Sequence, residues 1–454
     1  MPETLPLPLK EALTEKLAES LAGPLLEATP RQVHGATSFP GKATAVVGMR
    51  RAGKTTFLHQ MRRERMAQGA AREHLPYVNF EDERLADLKA AQLGFLLEEY
   101  GRRVPQGSKR GTVTWCFDEI QVVPGWERFV RRLLDAGGSE VIVTGSSAAL
   151  LSREIATALR GRAWEVPLFP FSFGEALRHH GRTTPSDAAF LTGPERGRVE
   201  RTFLDWLTVG GFPEAQELDG ASRRQLLRDY VDVAMLRDIV ERHEVSNVTG
   251  LRWLVRHLLG NAASRFSVEK FYAGLKSQGV AISKDTVHQL LAHLEDCFLV
   301  RIVWMESASE RQRMVNPRKV YPVDTGLIPV FDRSGRGNIG PALETAVLIE
   351  LERRRCAVTY VRTPGGFEVD FLARGAEGEA ELIQVCADAS DPATAERELR
   401  ALVEAGEAYP KAQKRLLTLT RDGKPAAAPP GVTVQPTYEW LLAAPGADST
   451  GIGQ

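Results

Sequence analysis

An α/β chain with a mostly parallel N-terminal sheet, a helical middle and a second α/β piece at its end is the fold class the sequence predicts. Three observations predict it. Apolar runs of strand length alternate with helix-patterned stretches up to about residue 170; three short helices precede two β-rich pieces between residues 246 and 330; and strands alternate with helices again from residue 338. At 454 residues the chain exceeds one ordinary domain. With 43% hydrophobic and 26% charged residues it has the balance of a globular protein with real cores.

Taken in order, residues 1–40 are an N-terminal arm, helix-patterned from Leu9 to Ala22 and then broken by Pro and Gly. Residues 41–170 hold the strand runs ATAVVG (43–48), PYVNFED (76–82), TVTWCFDE (112–119), EVIVTGS (140–146) and AWEVPLFP (163–170). Between them, Lys54 to Gln68 and Trp126 to Ala136 carry apolar residues at three- and four-residue spacing, with Gly69 and Gly137 where helix ends favour glycine. Such alternation feeds a parallel sheet through crossovers. Residues 171–245 are helices around the break Gly210-Gly211-Phe212-Pro213. In 246–330, helices at Leu251–Ala262, Ser267–Gln278 and Ser283–Phe298 lead into strands at Leu299–Met305 and Lys319–Val323, joined by a polar, Arg-rich loop: winged-helix order. In 338–443, a helix from Glu344 precedes strands at Val358–Arg362, Phe367–Ala373 and Ala380–Cys386, a helix at Ala393–Ala405 and a strand near Leu416. Residues 444–454 are predicted to be a disordered tail.

Charge and cysteine usage exclude several classes. Lys plus Arg and Asp plus Glu each total 58, which rules out a histone-like polyanion binder but leaves room for a local basic groove. No uncharged apolar stretch nears the roughly 18 residues that span a bilayer, so no membrane partner is expected. The segment Met1–Lys10 carries Glu3 and three prolines and lacks a signal-peptide profile. The cysteines at 116, 297, 356 and 386 lie far apart, so neither disulfides nor a zinc cluster is expected, and a cytoplasmic location is.

The strongest motif is Gly48-Met49-Arg50-Arg51-Ala52-Gly53-Lys54-Thr55, followed by Thr56, which fits GxxxxGK[ST] between a strand and a helix. Glycines let successive N–H groups turn inward on phosphate oxygens, and the helix N-terminus adds its positive dipole end. Gly48, Arg51, Ala52, Gly53, Lys54, Thr55 and Thr56 are therefore the nucleotide-binding candidates, with Lys54 reaching the β- and γ-phosphates and the Thr55 hydroxyl on Mg²⁺. Independently, the apolar strand Val113–Phe117 ends in Asp118-Glu119. Buried acids are costly unless a cation or water uses them; Asp118 would hold Mg²⁺ and Glu119 would polarise the attacking water. Together these predict hydrolysis of a nucleoside triphosphate, ATP, with Mg²⁺. Ser146, at the tip of the strand after Val141–Val143, senses the γ-phosphate or is a plain strand-end turn. Arg162 or Arg160, ahead of the last strand, would act across a subunit boundary or be solvated surface charges.

The blocks GMRRAGKTTFLHQ, YVNFEDERL, FDEIQ with PGWERFV, VTGSS with LLSREIATALRGR, PFSFGEAL and GGFPEA occur in that order. In this the chain resembles a prokaryotic AAA-type (AAA+) ATPase family with a C-terminal domain of unknown function, over roughly residues 30–440. The resemblance implies a P-loop NTPase AAA+ core at 41–170 with strand order 5-1-4-3-2, a helical lid at 171–245, a winged helix at 246–330 and a restriction-endonuclease-like, PD-(D/E)xK-type domain at 338–443. It also implies a homo-oligomeric ring with Arg162 or Arg160 as the arginine finger.

In active nucleases of that fold the last core strand supplies an acid, any residue, then Lys. Here Gln384, Val385 and Cys386 stand there, while Glu344 and Asp370 remain as carboxylates. Gln384 is a weak metal ligand and Cys386 brings no cation; Arg374 is the nearest substitute for the lysine. A retained fold used for binding or assembly is the expectation, a working nuclease the lesser alternative.

Residues 246–320 hold eleven Lys or Arg against six acids, an excess of five positive charges. Ser283 would cap the third helix, with Val287, Leu290, Leu291, Leu294 and Phe298 inward and Lys284 and His288 outward, and Arg311 and Arg313 on the wing. These four are the DNA-binding candidates, DNA being the expected partner, branched or duplex. Trp253 is assigned to the core, so no base-stacking platform is expected. The resulting prediction is an ATP-hydrolysing ring that binds and remodels DNA. Its alternatives are a nucleotide-dependent switch that docks a protein partner on the C-terminal domain, and a motor-coupled nuclease.

Overall fold

The structure, a computed structural model, describes residues 5–104, 112–145, 159, 161–183, 188, 191–333 and 338–443. It divides into two compact units, Met1–Leu168 and Phe169–Gln454.

The first unit is built on a five-stranded sheet of β1 (Ala43–Val47), β2 (Tyr77–Asn79), β3 (Val113–Asp118), β4 (Ser139–Gly145) and β5 (Ala163–Pro167). Its order is β5-β1-β4-β3-β2, as the resemblance implies, and every neighbouring pair is parallel. All five residues of β1 are buried, as in a sheet covered on both faces. Helices α1 (Leu7–Ala22), α2 (Lys54–Ala67), α3 (Gly94–Arg103) and α4 (Trp126–Ala136) surround it. The heptad-like spacing of Trp126, Phe129, Val130 and Leu133 gives α4 its buried stripe. No element was predicted between β2 and β3; α3 stands there. The arm's helix α1 is no loose lead-in. It buries Leu9, Leu13 and Leu17, and its Ser20 hydroxyl accepts the Tyr77 N–H at 2.6 Å while its Ser20 carbonyl accepts from Arg62 Nη2 at 2.8 Å.

The second unit begins with α5 (Phe173–His179), α6 (Gly193–Val209) and α7 (Gly220–Val233), the last running into a π-helical stretch, Ala234–Glu241. Next come α8 (Val248–Gly260), β6 (Arg265–Phe266), α9 (Val268–Ser277), α10 (Lys284–Asp296), β7 (Val300–Met305), α11 (Glu310–Val315) and β8 (Arg318–Pro322). After them stand α12 (Ile339–Arg353), β9 (Ala357–Arg362), β10 (Glu368–Arg374), β11 (Ala380–Cys386), α13 (Pro392–Ala408), β12 (Gln413–Thr418), β13 (Val432–Pro436) and α14 (Thr437–Leu442). The last two were not predicted. One eight-stranded sheet runs β13-β12-β11-β10-β9-β7-β8-β6. The antiparallel β7–β8 hairpin joins the later strands through the parallel pairing of Trp304 with Thr359 and Met305 with Tyr360. The stretch predicted as a polar loop between β7 and β8 contains the short helix α11, capped by Ser309, whose side chain accepts from Gln312 N at 3.4 Å.

The Gly210-Gly211 break has a steric cause. Buried Asp324 accepts N–H bonds from Gly211 at 2.6 Å and Gly326 at 3.0 Å. A Cβ on Gly210 (φ 81°) would lie 1.9 Å from Asp324 Oδ1, and one on Gly211 would lie 2.2 Å from the Phe171 carbonyl oxygen. Only glycine fits either place.

Candidate functional site

The loop from Gly48 to Thr55 joins β1 to α2. Gly48 (φ 155°) passes so close to the residue after β5 that an added Cβ would sit 2.1 Å from the Leu168 carbonyl oxygen, and Gly53 turns left-handed (φ 94°) to start α2. Arg51 is left-handed too (φ 67°), and Ala52 is buried. Buried Lys54 donates to the carbonyls of Gly48 at 3.1 Å and Met49 at 3.2 Å, so its ammonium is held over the loop. The sequence did not show what grips the loop from behind: Arg31 donates to the Ala52 carbonyl at 2.6 Å, and Gln60 exchanges two hydrogen bonds with the Arg31 backbone.

Asp118, wholly buried at the end of β3, is the hub. Its Oδ2 accepts from the Thr55 hydroxyl at 2.7 Å and the Tyr77 hydroxyl at 2.9 Å; its Oδ1 accepts from the Thr144 hydroxyl at 2.5 Å. Burial pushes its carboxyl above the usual range, and the hydroxyl donors pull the other way. Glu119 follows in the left-handed region (φ 53°), a strained backbone for a non-glycine. Its N–H donates to Thr144 Oγ1 at 2.9 Å, its Oε1 lies 3.8 Å from Lys54 Nζ, and Gln121 donates to its other oxygen. Thr144 thus bridges the two acids. Ser146, not Thr144, was the candidate expected from the sequence, although a polar residue ending a buried apolar strand was the available signal. The Thr55 hydroxyl and the Asp118 carboxylate suit a hard dication, and a glycine loop running into a helix N-terminus suits phosphates.

A family described as "AAA domain" matches residues 40–177, and a "domain of unknown function" family matches residues 200–334. An uncharacterized protein of Methanocaldococcus jannaschii is 33% identical over 372 residues, covering 81% of this chain and 79% of its own length. An uncharacterized protein of Haemophilus influenzae is 30% identical over 341 residues, 75% of this chain and 81% of its own. The chain belongs to the family of these two proteins. Its first unit has the AAA+ fold. Among solved structures, a Walker-type ATPase of Pyrococcus abyssi aligns over 71% of this chain and 95% of its own (TM-score 0.37, 16% identity). The ORC2 protein of Aeropyrum pernix, solved as ADPNP–ADP complexes, aligns over 73% and 94% (TM-score 0.34, 15% identity).

Around the AAA core, Ser146 and Arg160 lie outside the described residues. Arg162 is exposed and ion-paired with exposed Asp135. Thr56 lies half-buried in the first turn of α2.

In the second unit Glu344 on α12 and Asp370 on β10 do come together, at a bulge in the β9–β10 pairing between Val369 and Leu372. The cation between them is one the sequence analysis missed. Lys319, on β8, is buried with its Nζ 2.8 Å from Asp370 Oδ1, 2.9 Å from Glu368 Oε1 and 3.4 Å from Glu344 Oε2. Burial works to lower its pKa, but the charges of Asp370, Glu344 and Glu368 outweigh it and hold the ammonium. Burial, then Asp370, pushes the Glu344 carboxyl up, and Tyr321 donates to it at 3.1 Å. Arg374, the suggested substitute, does not reach this cluster; it makes a two-pronged pair with Glu306. Gln384 accepts the Asp370 N–H at 3.2 Å and donates to Glu398 at 2.7 Å, so both ends of its amide are engaged. Cys386 is a thiol whose pKa burial pushes up to about 11. No segment-local motif could reveal Lys319, because it arrives from the hairpin that precedes α12.

On α10, Ser283 caps the helix by accepting from Thr286 N at 3.0 Å, the predicted apolar residues are buried, and Lys284 and His288 face out. Lys284 is held by Glu269 at 2.5 Å, over the Tyr272 ring. Arg313 is half-buried on α11, 3.5 Å from Glu310 and beside Trp304; Arg311 is exposed. Trp253 is not in the core: it is 42% exposed. The helix α8 buries Leu251, Leu254, Val255, Leu258 and Leu259, which leaves position 253 on its opposite face.

Proposed function

We propose that the chain is a Mg²⁺-dependent ATP hydrolase that works as a homo-oligomeric ring on DNA. The observation that carries the reading is the Thr55–Asp118 hydrogen bond beneath the phosphate loop, with Glu119 and Lys54 beside it. The Thr55 hydroxyl and the Asp118 carboxylate would hold Mg²⁺, which supplies neutralisation of the charge that develops on the phosphates. Loop amides from Gly48 to Thr56 cradle the triphosphate, Lys54 swings from its carbonyl partners onto it, and Glu119 takes a proton from the attacking water. Thr144 holds both acids in register. Arg162 (or Arg160) completes the site of a neighbouring subunit, and Ser146 serves the γ-phosphate.

Residues 171–245 act as lid, 246–330 as a winged helix, and 338–443 as a nuclease-like module that binds or assembles without cutting. The filled acidic cluster, the engaged Gln384 and the thiol at Cys386 support the last assignment. The excess of positive charge across 246–320 supports DNA as partner. Exposed Met314 and Val315 on α11 favour a second reading, a nucleotide-controlled dock for a protein.

Calorimetry and hydrolysis assays with Mg·ATP test the core. Lys54→Ala should abolish the binding heat; Glu119→Gln should bind and hydrolyse roughly 10²–10⁴ times more slowly. Hydrolysis by Glu119→Gln at the parent rate would refute the assignment of the base. Hydrolysis indifferent to single-stranded and duplex DNA, with no salt-dependent DNA binding, would refute the partner.

A further inference from the structure

Between α8 and α9, floored by α7 and the four-residue helix Ile328–Phe331, lies a cleft of ≈ 970 Å³. That is the upper end of the roughly 300–1,000 Å³ typical of ligand clefts. It is lined by Arg228, Arg256, Arg265, Lys270 and Arg333, against the two carboxylates Asp232 and Asp332. Of the five cations only Arg265 has a carboxylate oxygen within 4 Å, that of Glu368 at 3.7 Å. Among the described residues the side chains of the other four have neither an ion pair nor a hydrogen bond. Elsewhere in this unit several arginines are paired: Arg301 with Glu352, Arg354 with Glu350, Arg374 with Glu306, Arg415 with Glu381. Four unpaired cations around one concavity repel each other unless an anion joins them.

Trp253 lines the same cleft, its ring exposed, and Arg256 follows three residues on, next to it on the helix surface. Gly274 on the facing helix also lines the cleft and has nothing within 4 Å of where a Cβ would stand, so the cleft is open at that position. A flat apolar ring flanked by unpaired cations is the chemistry that holds an unstacked base with its phosphates; the bases of an intact duplex cannot offer their faces to it.

We propose that this cleft, rather than the outer face of α10, is the track for a single-stranded nucleic-acid segment. Trp253 stacks a base, and Arg228, Arg256, Lys270 and Arg333 take the phosphates. The proposal rests on the reading that the chain acts on DNA and narrows it to a place and a strand form. On α10, by contrast, Lys284 is already neutralised by Glu269.

Fluorescence anisotropy of the full chain with labelled oligothymidine, and with a labelled duplex, tests it. The parent should prefer the single strand. Trp253→Ala should weaken that binding roughly tenfold to a hundredfold, while Trp253→Phe retains most of it. Arg256→Ala with Lys270→Ala should flatten the slope of log affinity against log salt by about 1.4. Binding weakened by Lys284→Ala and Arg311→Ala but untouched by Trp253→Ala would overturn the cleft and leave the broader DNA reading standing. No binding of either oligonucleotide by the parent would overturn both. Binding of polyglutamate with no binding of oligothymidine would assign the cleft to an acidic protein segment and overturn the proposal.

Discussion

Lys319 Nζ on β8 lies 2.8 Å from Asp370 Oδ1 on β10, so the counter-charge of the buried acidic cluster comes from a hairpin earlier in the chain than the cluster's own helix. Removing it leaves Glu344, Glu368 and Asp370 facing one another. Lys319→Met should cost the second unit about 3–5 kcal/mol near neutral pH. The loss should be smaller at pH 5 than at pH 9, because Glu344, whose carboxyl burial and then Asp370 push up to about 8, takes up a proton between the two. Urea unfolding at both pH values measures this; an equal loss at each would contradict the charge argument.

Thr144 is predicted to matter more for turnover than for nucleotide affinity. Thr144→Val keeps the shape but removes the donor to Asp118 and the acceptor of the Glu119 N–H. Hydrolysis should fall by roughly two orders of magnitude with affinity nearly kept, since a small misplacement of a catalytic group has that effect. Single-turnover rates set against calorimetric Kd values decide it: a Kd that rises as far as the rate falls would make Thr144 a simple scaffold residue.

Arg162 is paired with Asp135, and both are largely exposed. Such a pair contributes about 1 kcal/mol or less and is easily exchanged for another partner. Asp135→Ala should leave the melting temperature nearly unchanged. If Arg162 serves a neighbour, mixing Arg162→Ala with Lys54→Ala subunits should restore part of the activity through hybrid sites. Absence of rescue at every mixing ratio would confine Arg162 to its own subunit.

Gly211→Ala should destabilise the second unit by about 1–3 kcal/mol or more, because its Cβ would meet the Phe171 carbonyl and something must shift. Gly210→Ala should be at least as damaging, adding left-handed strain to a collision with Asp324. Denaturation midpoints of the two variants check both; parental stability in either would place the steric cause elsewhere.

Asp324 gives a pH signature. Burial raises its pKa to about 6, against the N–H bonds from Gly211 and Gly326 that lower it. A carboxyl raised on folding favours the folded state while protonated, so its contribution is complete below about pH 4 and is lost as pH climbs through 6. The swing is about 3 kcal/mol at most. Unfolding free energies from pH 4 to 7 should show this decline in the parent relative to Asp324→Asn, and parallel curves would discount it.

The AAA core was legible because its signals are local: a glycine loop between strand and helix, and an acidic pair ending an apolar run. Strand order followed the resemblance, and all five strands fell where their apolar runs lie. The second acid's backbone partner, Thr144, was missed because its meaning depends on the neighbouring strand. Lys319 was missed for a stronger form of the same reason, since a sheet brings it beside residues some fifty positions away. Trp253 was misassigned because residue type was weighed over phase: tryptophan suggests core, but the buried positions of α8 run 251, 254, 255, 258 and 259.

The β7–β8 hairpin and the strands from β9 to β13 share backbone hydrogen bonds across the β7–β9 seam. Cutting the chain between residues 333 and 338 would therefore not release two tidy fragments. It would leave a raw strand flank on each piece, prone to self-association. Anyone shortening this protein for crystallography or display would do better to keep both sides of that seam together and make the division near Phe169.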